Sequence, residues 1–210
     1  SVGKTTTKEM LRRGIGATRR VHATAGNHNN LIGLPLTVLS TPEDTEVLVL
    51  ELGMNHAGEI TRLTSVARPT VAVITNVGTS HIGLLGSREN IARAKAEIVS
   101  GMRAFDSIEP TLIQASAGDY TKFIADEFAR PARVVCKTVG ATEADVMSAQ
   151  QVTLDEEGLP TAIIVAASGW SRTVTLEVPG RVVVDDLLLA LEAIETLGLD
   201  LDAAAEAIEQ

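Results

Sequence analysis

Gly3-Lys4-Thr5 carries the residue types of the tail of a phosphate loop. In such a loop, backbone N–H groups at a helix start face an anion, a lysine neutralises it, and a hydroxyl ligates Mg²⁺. Ser1, Val2, Gly3, Lys4, Thr5 and Thr6 are therefore the candidate phosphate-binding stretch. A tripeptide this short also arises by chance; what favours chemistry is the run of good helix formers over Thr6–Arg13 directly after it. A second polar run, Thr24-Ala25-Gly26-Asn27-His28-Asn29-Asn30, is either turn chemistry or a loop whose amides bind substrate or phosphate.

Glu51 closes an apolar run, where a buried strand does not ordinarily leave an unpaired carboxylate; a Mg²⁺ ligand is favoured over a solvated strand end. Glu59, just after it, reads as an ordinary first-turn helix residue. Thr75-Asn76-Val77-Gly78-Thr79-Ser80-His81 repeats the arrangement, with a strand delivering polar groups and a histidine to its end. Lys95 lies in Ala92-Arg93-Ala94-Lys95-Ala96, and its residue chemistry alone makes it a solvated helix lysine. Trp170 and Cys136 read as packing residues.

These groups need elements to position them. Glu46–Leu52, Val71–Val77, Thr111–Ala115 and Arg133–Thr138 are short, nearly continuous apolar runs of the kind that fill a sheet covered on both faces. Between and after them, helical spacing covers Gly58–Ala67, Arg88–Met102 and Tyr120–Phe128, with the first helix stopping at Gly14-Ile15-Gly16. This alternation predicts an α/β fold of the phosphate-loop type, a doubly wound, mainly parallel sheet flanked by helices. Glu51 and His81 then share the carboxyl edge where such sheets bind ligands. Over residues 145–180, Val146–Leu154, Thr161–Ala166 and Ser171–Val178 alternate around Gly-containing turns and form a small antiparallel β appendage. Helices over Asp185–Leu197 and Leu201–Ile208 follow.

With 210 residues, the chain suits one main domain. A net charge of −9 gives no global support for gripping nucleic acid. The longest apolar run, Ala162–Ala167, is six residues, far from the ~20 of a membrane span. One cysteine excludes an internal disulfide and a cysteine-based zinc site, which fits a reducing compartment. The chain begins on the phosphate-loop tail, and the strand expected to feed that loop lies outside it; both ends read as cut from a longer protein.

Four ordered motifs resemble the Mur ligase family. They are Gly-Lys-Thr-Thr-Thr-Lys-Glu-Met, Thr-Ala-Gly-Asn-His-Asn-Asn-Leu-Ile-Gly-Leu-Pro-Leu-Thr, Glu-Leu-Gly-Met-Asn-His-Ala-Gly-Glu-Ile, and Asn-Val-Gly-Thr-Ser-His-Ile-Gly-Leu-Leu-Gly-Ser followed by Ala-Lys-Ala-Glu-Ile. They span residues 1–98, and the match is looser beyond Met102. The resemblance implies that residues 1–210 are the central ATPase domain of a three-domain ligase, with the UDP-binding and C-terminal domains outside the chain. The family branch it resembles most joins D-alanyl-D-alanine to UDP-N-acetylmuramoyl-tripeptide through an acyl phosphate, in peptidoglycan precursor synthesis. ATP and two Mg²⁺ are the implied cofactors, in a monomer of the bacterial cytoplasm with no nucleic-acid or membrane partner.

By the same resemblance, Lys4 neutralises the phosphates, Thr5 ligates the first Mg²⁺, and Glu51 and His81 hold the second. Lys95 matches a position that is carbamylated, which reverses the solvated reading and adds a metal-organising anion. Asn27, Asn29 and Asn30 match the loop near the reacting phosphate and substrate, with Asn27 and Asn30 ranked ahead of Asn29. The family usually has a His near Val182 and an Asn near Asp186 that helps bind adenine, so Asp186 is the adenine-side candidate and a departure. Gln114-Ala115-Ser116-Ala117-Gly118-Asp119 likewise departs from an Asn-x-Asp-Asp-like run. The alternatives are a related Mur-type or folylpolyglutamate-like amide ligase with another acceptor, and a nucleotide-binding regulatory module with lost turnover.

Overall fold

The structure is a computed structural model that describes residues 2–142 and 144–210, so Ser1 lies outside the described residues. The chain winds into α1 (Lys4–Gly16), β1 (Val21–Ala23), α2 (Gly33–Leu39), β2 (Val47–Val49), α3 (Glu59–Ala67), β3 (Val71–Ile74), α4 (Ile82–Leu85) and α5 (Arg88–Ala96). It continues through β4 (Thr111–Ala115), α6 (Thr121–Ile124), β5 (Val135–Gly140), β6 (Met147–Leu154), β7 (Pro160–Ala166), β8 (Ser171–Thr175), α7 (Val182–Thr196) and α8 (Leu201–Glu209).

β1 and β2 pair in parallel as one ladder, and β3 to β8 form a six-stranded sheet in sequence order. The β3–β4, β4–β5 and β5–β6 pairs are parallel, and β6–β7 and β7–β8 are antiparallel. The antiparallel strands expected over residues 145–180 are present. They continue the edge of the parallel sheet, because Val139 and Gly140 register with Met147 and Ser148.

Both faces of the sheet are covered, as continuous apolar strands require. On β4, Ile113 packs in the cluster formed with α1, α7 and α8, and its neighbour Leu112 packs in the opposite cluster with Ala92, Ala96 and Ile124. A helix buried nearly all round is apolar nearly all round. α7 is that helix, with Leu187, Leu188, Leu189, Leu191 and Ile194 all at most 1% exposed.

Several boundaries differ from the sequence expectation for identifiable reasons. α1, by contrast, ends at Gly16, inside the expected Gly14-Ile15-Gly16 stretch; a Cβ on Gly14 would come within 2.7 Å of Ile194 Cδ1 and 3.1 Å of Ile208 Cδ1, so this glycine also lets α1 approach α7 and α8. α7 begins at Val182, three residues before the expected Asp185, because Val183 and Val184 are needed in the core. β2 is only Val47–Val49, since its strand partner is the three-residue β1. The helix expected over Arg88–Met102 tightens at Glu97 into a 3₁₀ turn, Glu97–Gly101, where the Ile98 carbonyl accepts the Thr64 hydroxyl at 3.1 Å. The Tyr120–Phe128 helix splits into α6 and a π turn, Ala125–Ala129, closed by Arg130 N–H to the Ala125 carbonyl at 2.9 Å.

Candidate active site

The site is built where α1 starts and β2 and β3 end. Gly3 caps α1 in the left-handed region at φ 87° and delivers Lys4 as the first helical residue. Its Cα packs so closely on Asp186 of α7 that a Cβ would collide with the Asp186 carboxylate. The Val2 carbonyl is held across the gap by β3's end, accepting from Thr75 Oγ1 at 3.0 Å and Asn76 Nδ2 at 2.7 Å.

Glu51, two residues past β2, is 6% exposed and is the hub. Its Oε2 accepts from Thr5 Oγ1 at 2.9 Å, its Oε1 accepts from Asn29 Nδ2 at 2.8 Å, and Lys4 Nζ lies 4.0 Å from Oε1. The backbone fixes this arrangement from behind: Glu51 N–H donates to Thr24 Oγ1 at 2.9 Å, and Gly53 N–H donates to the Asn29 carbonyl at 2.7 Å. A buried carboxylate needs such partners.

Lys95 of α5 and His81, which caps α4 at φ 67°, line the same cleft of about 430 Å³ as Lys4, Asn29 and Asn30. Lys95 is not a solvated lysine. Burial, and then the positive charge of Lys4, lower its pKa to about 8. Burial raises the Asp186 carboxyl to about 6, the Thr7 hydrogen bond opposing it and Asp185 adding to it.

The three asparagines have different surroundings. Asn29, ranked last of the three, is the one on Glu51. Asn30 Oδ1 accepts the Ile32 and Gly33 N–H groups at 3.0 and 2.9 Å, so its carbonyl holds the start of α2. Asn27 is exposed, and its carbonyl accepts Asn29 N–H at 2.7 Å. Asp186 contacts the phosphate-loop side through Gly3 and Thr7 Oγ1, 3.2 Å away. Glu59 Oε2 accepts the Asn55 and His56 N–H groups, which keeps it a helix-start residue as expected. Val182 is exposed, and Trp170 Nε1 donates to Asp202 at 3.1 Å.

Sequence reading missed Lys8, which is 4% exposed, donates to the Thr24 carbonyl at 2.8 Å and pairs with Glu9 at 3.0 Å. The available signal was its i+4 spacing from Lys4, which puts both on neighbouring turns of one face.

Thr5 and Glu51 offer adjacent oxygen donors, the ligand type that Mg²⁺ takes. Among the described residues, no three His, Cys, Asp or Glu side chains converge as a self-sufficient metal cage. A cation here would complete its shell with water and phosphate oxygens, which is how Mg²⁺ is usually held.

A helix starting on Gly-Lys-Thr at the carboxyl edge of a doubly wound sheet defines the phosphate-loop class of α/β domains. The chain belongs to the Mur ligase middle domain family, whose model matches residues 1–194. A Bacillus subtilis protein named UDP-N-acetylmuramoyl-tripeptide–D-alanyl-D-alanine ligase is 40% identical over 210 residues, 99% of this chain and 42% of the relative. Among solved structures, MurF from Acinetobacter baumannii superposes with a TM-score of 0.91 at 31% identity, over 100% of this chain and 44% of that one. MurF ligase from Thermotoga maritima in complex with ADP gives 0.79 at 30% identity, over 98% and 46%. The chain thus spans less than half the length of these relatives.

Proposed function

We propose that this chain is the central ATP-binding part of a ligase that joins D-alanyl-D-alanine to UDP-N-acetylmuramoyl-tripeptide. The observation that carries the reading is the convergence on Glu51: Lys4, Thr5 and Asn29 reach one carboxylate at the sheet's carboxyl edge, beside a cleft lined by Lys95 and His81. The name of the Bacillus subtilis relative supports the choice of substrates.

A carboxylate is a poor acyl donor until one of its oxygens becomes part of a leaving group. In the proposed reaction, the tripeptide carboxylate attacks the γ-phosphorus of ATP and ADP departs. The dipeptide amine then attacks the acyl carbon, and inorganic phosphate leaves with the bond to carbon broken. Lys4 and the N–H groups from Gly3 to Thr6, with Val2 and Ser1 leading into them, bind and orient the phosphates. Thr5, Glu51 and His81 would hold Mg²⁺, one ion at Thr5 and a second at Glu51 and His81, and the metal supplies charge screening between the two anions. Asn29 holds Glu51 in place, while Asn27 and Asn30 face the substrate side.

Lys95 is proposed to be carbamylated: its neutral amine bonds to the carbon of CO₂ and loses a proton, which turns a cation into an anion. A pKa near 8 supports this, because the neutral amine is the nucleophile. Asp186 is the adenine-side candidate, and its contact with Gly3 supports a position next to the nucleotide.

The domain reading is that residues 1–210 lie between a UDP-binding domain and a C-terminal domain in a monomer of the bacterial cytoplasm. Coverage below half of each relative supports the first part, and a phosphate loop is by construction strand, loop and helix. No helix among the described residues is long and apolar enough to cross a membrane.

The deciding experiment is phosphate release by the intact protein with ATP, Mg²⁺ and UDP-N-acetylmuramoyl-tripeptide, with and without D-alanyl-D-alanine. Strict dependence on the dipeptide is expected. Release that ignores the dipeptide overturns the assignment in favour of another acceptor or a regulatory nucleotide site.

A further inference from the structure

Asp186 is an acid placed against a turn of backbone read as an anion site. It is 5% exposed, it accepts a hydrogen bond from Thr7 Oγ1 at 3.2 Å, and the space a Cβ on Gly3 would need is filled by its carboxylate. Gly3 immediately precedes Lys4, so the acid sits on the turn that begins α1. An ionised carboxylate there repels the phosphate that the same turn is built to attract, and burial leaves little water between the two charges.

We propose that Asp186 links nucleotide binding to proton uptake: the Gly3–Thr6 turn holds phosphate weakly while Asp186 is ionised and tightly once it is protonated. The inference rests on the phosphate-loop reading above. Asp186 is a positioning residue in this account, acting through the loop and not on the reacting atoms.

The charges around it bear this out. On its own helix and the approach to it stand Asp185 and Arg181; Asp185 adds negative potential at Asp186, while Arg181 acts on Asp185. On α1, Lys4 lies 4.0 Å from Glu51, and Lys8 donates to Thr24 and pairs with Glu9. Further along α7, Glu192 is paired with Lys137 of β5 at 2.7 Å. From α8, Asp202 and Glu209 turn to Arg172 of β8. With burial as the main cause, the carboxyl sits at about 6, inside the range where a cell or a buffer can move it.

The sign follows from linkage. A bound phosphate raises the Asp186 pKa further, so the complex holds a proton that the free protein has lost, and Kd rises as pH climbs above 6. Each unit of pKa difference between free and bound states weakens binding by about tenfold at the alkaline end.

The test is ADP binding to the intact protein by calorimetry from pH 5 to pH 8.5, in buffers of differing ionisation enthalpy. D186N has the same shape without the charge, and its profile also reports the nucleotide's own phosphate ionisation. Expected are similar affinities for both proteins at pH 5, binding about tenfold tighter in D186N at pH 8, and extra proton uptake by the wild type near pH 7. D185N removes the neighbouring charge and should move the wild-type midpoint to lower pH, which provides a second measurement should D186N fold poorly. Superimposable pH profiles for wild type and D186N, or an unmoved midpoint in D185N, overturn the inference and leave the phosphate-loop reading intact. Absence of ADP binding by the folded wild type overturns both.

Discussion

Lys4 and Lys95 are both lysines at one cleft, yet they ask for opposite chemistry. Lys4, which lies beside Glu51, is proposed to neutralise the phosphates, so Lys4→Ala should lower dipeptide-dependent phosphate release by at least ~100-fold, a loss typical of removing a charge-stabilising group. Measured circular dichroism should stay the same, since the Lys4 side chain is partly exposed. Lys95 must instead be neutral to take up CO₂. With its pKa near 8, the neutral fraction falls about tenfold per pH unit below that value, so activity should fall between pH 8 and pH 6 and recover with added bicarbonate. An unchanged rate in CO₂-depleted buffer would refute carbamylation. Residue chemistry alone made Lys95 a solvated helix lysine. What buries Lys95 is its company of Ala92, Ala94 and Ala96, each at most 2% exposed, which lets α5 sink toward the sheet. For Lys8 the i+4 spacing gives the shared face with Lys4, while its burial comes from the packing of α1 beside Thr24. Among the asparagines, the contact of Asn29 with Glu51 was not legible, because the chain turn at Gly53 creates it.

At the scale of elements, a part-buried ion pair ties the sheet to its central helix. Lys137 of β5 donates to Glu192 of α7 at 2.7 Å and to Thr196 at 3.0 Å, and Glu192 is 1% exposed. Burial raises the Glu192 carboxyl even with the lysine beside it. Lys137→Met leaves that acid without its cation, and the expected cost is ~3 kcal/mol at pH 7 in urea unfolding, in the range for breaking one side of a buried pair. Because the folded pKa lies above the unfolded one, the penalty should shrink as pH falls and the acid takes up a proton. A double variant, Lys137→Met with Glu192→Leu, should recover most of the loss; equal stabilities for the single and double variants would contradict this account. Element identity was legible where burial is one-valued, as in Thr111–Ala115, whose predicted and observed bounds coincide. It failed at the ends, where a tertiary contact decides. The start of α7 is the clearest case, at Val182 where Asp185 was expected, because Val183 and Val184 are buried. Gly14, near the end of α1, serves as a contact point, and Gly14→Val should cost ~2 kcal/mol by forcing Ile194 and Ile208 aside.

The whole molecule has a feature that neither residue nor element explains alone. β2 and β3 are each the end of their ladder, and both line one cavity of about 750 Å³, floored by Leu11 and Ile15 of α1. Strand edges carry unpaired N–H and C=O groups, and a mostly apolar cavity does not satisfy them. A single strand running parallel to both would pair with β2 on one side and β3 on the other, joining the two ladders into one sheet. Val2, pinned at the end of β3 by Thr75 and Asn76, is where such a strand's following loop would arrive. On the proposed phosphate-loop reading, the strand-loop-helix order gives this place to a segment that would lead into Gly3 in the longer protein proposed above. The prediction is read by hydrogen exchange. In the intact protein, amides on the facing edges of Val47–Val49 and Val71–Ile74 should be protected at least ~100-fold more than in the 210-residue chain alone, while those of β4 and β5 should change far less. The reason is cooperative: an unfilled slot exposes both edges to local opening, whereas β4 is flanked by strands in either case. Equal protection in the two proteins would mean that the cavity is closed by the chain itself, and that the phosphate loop is fed from some other direction.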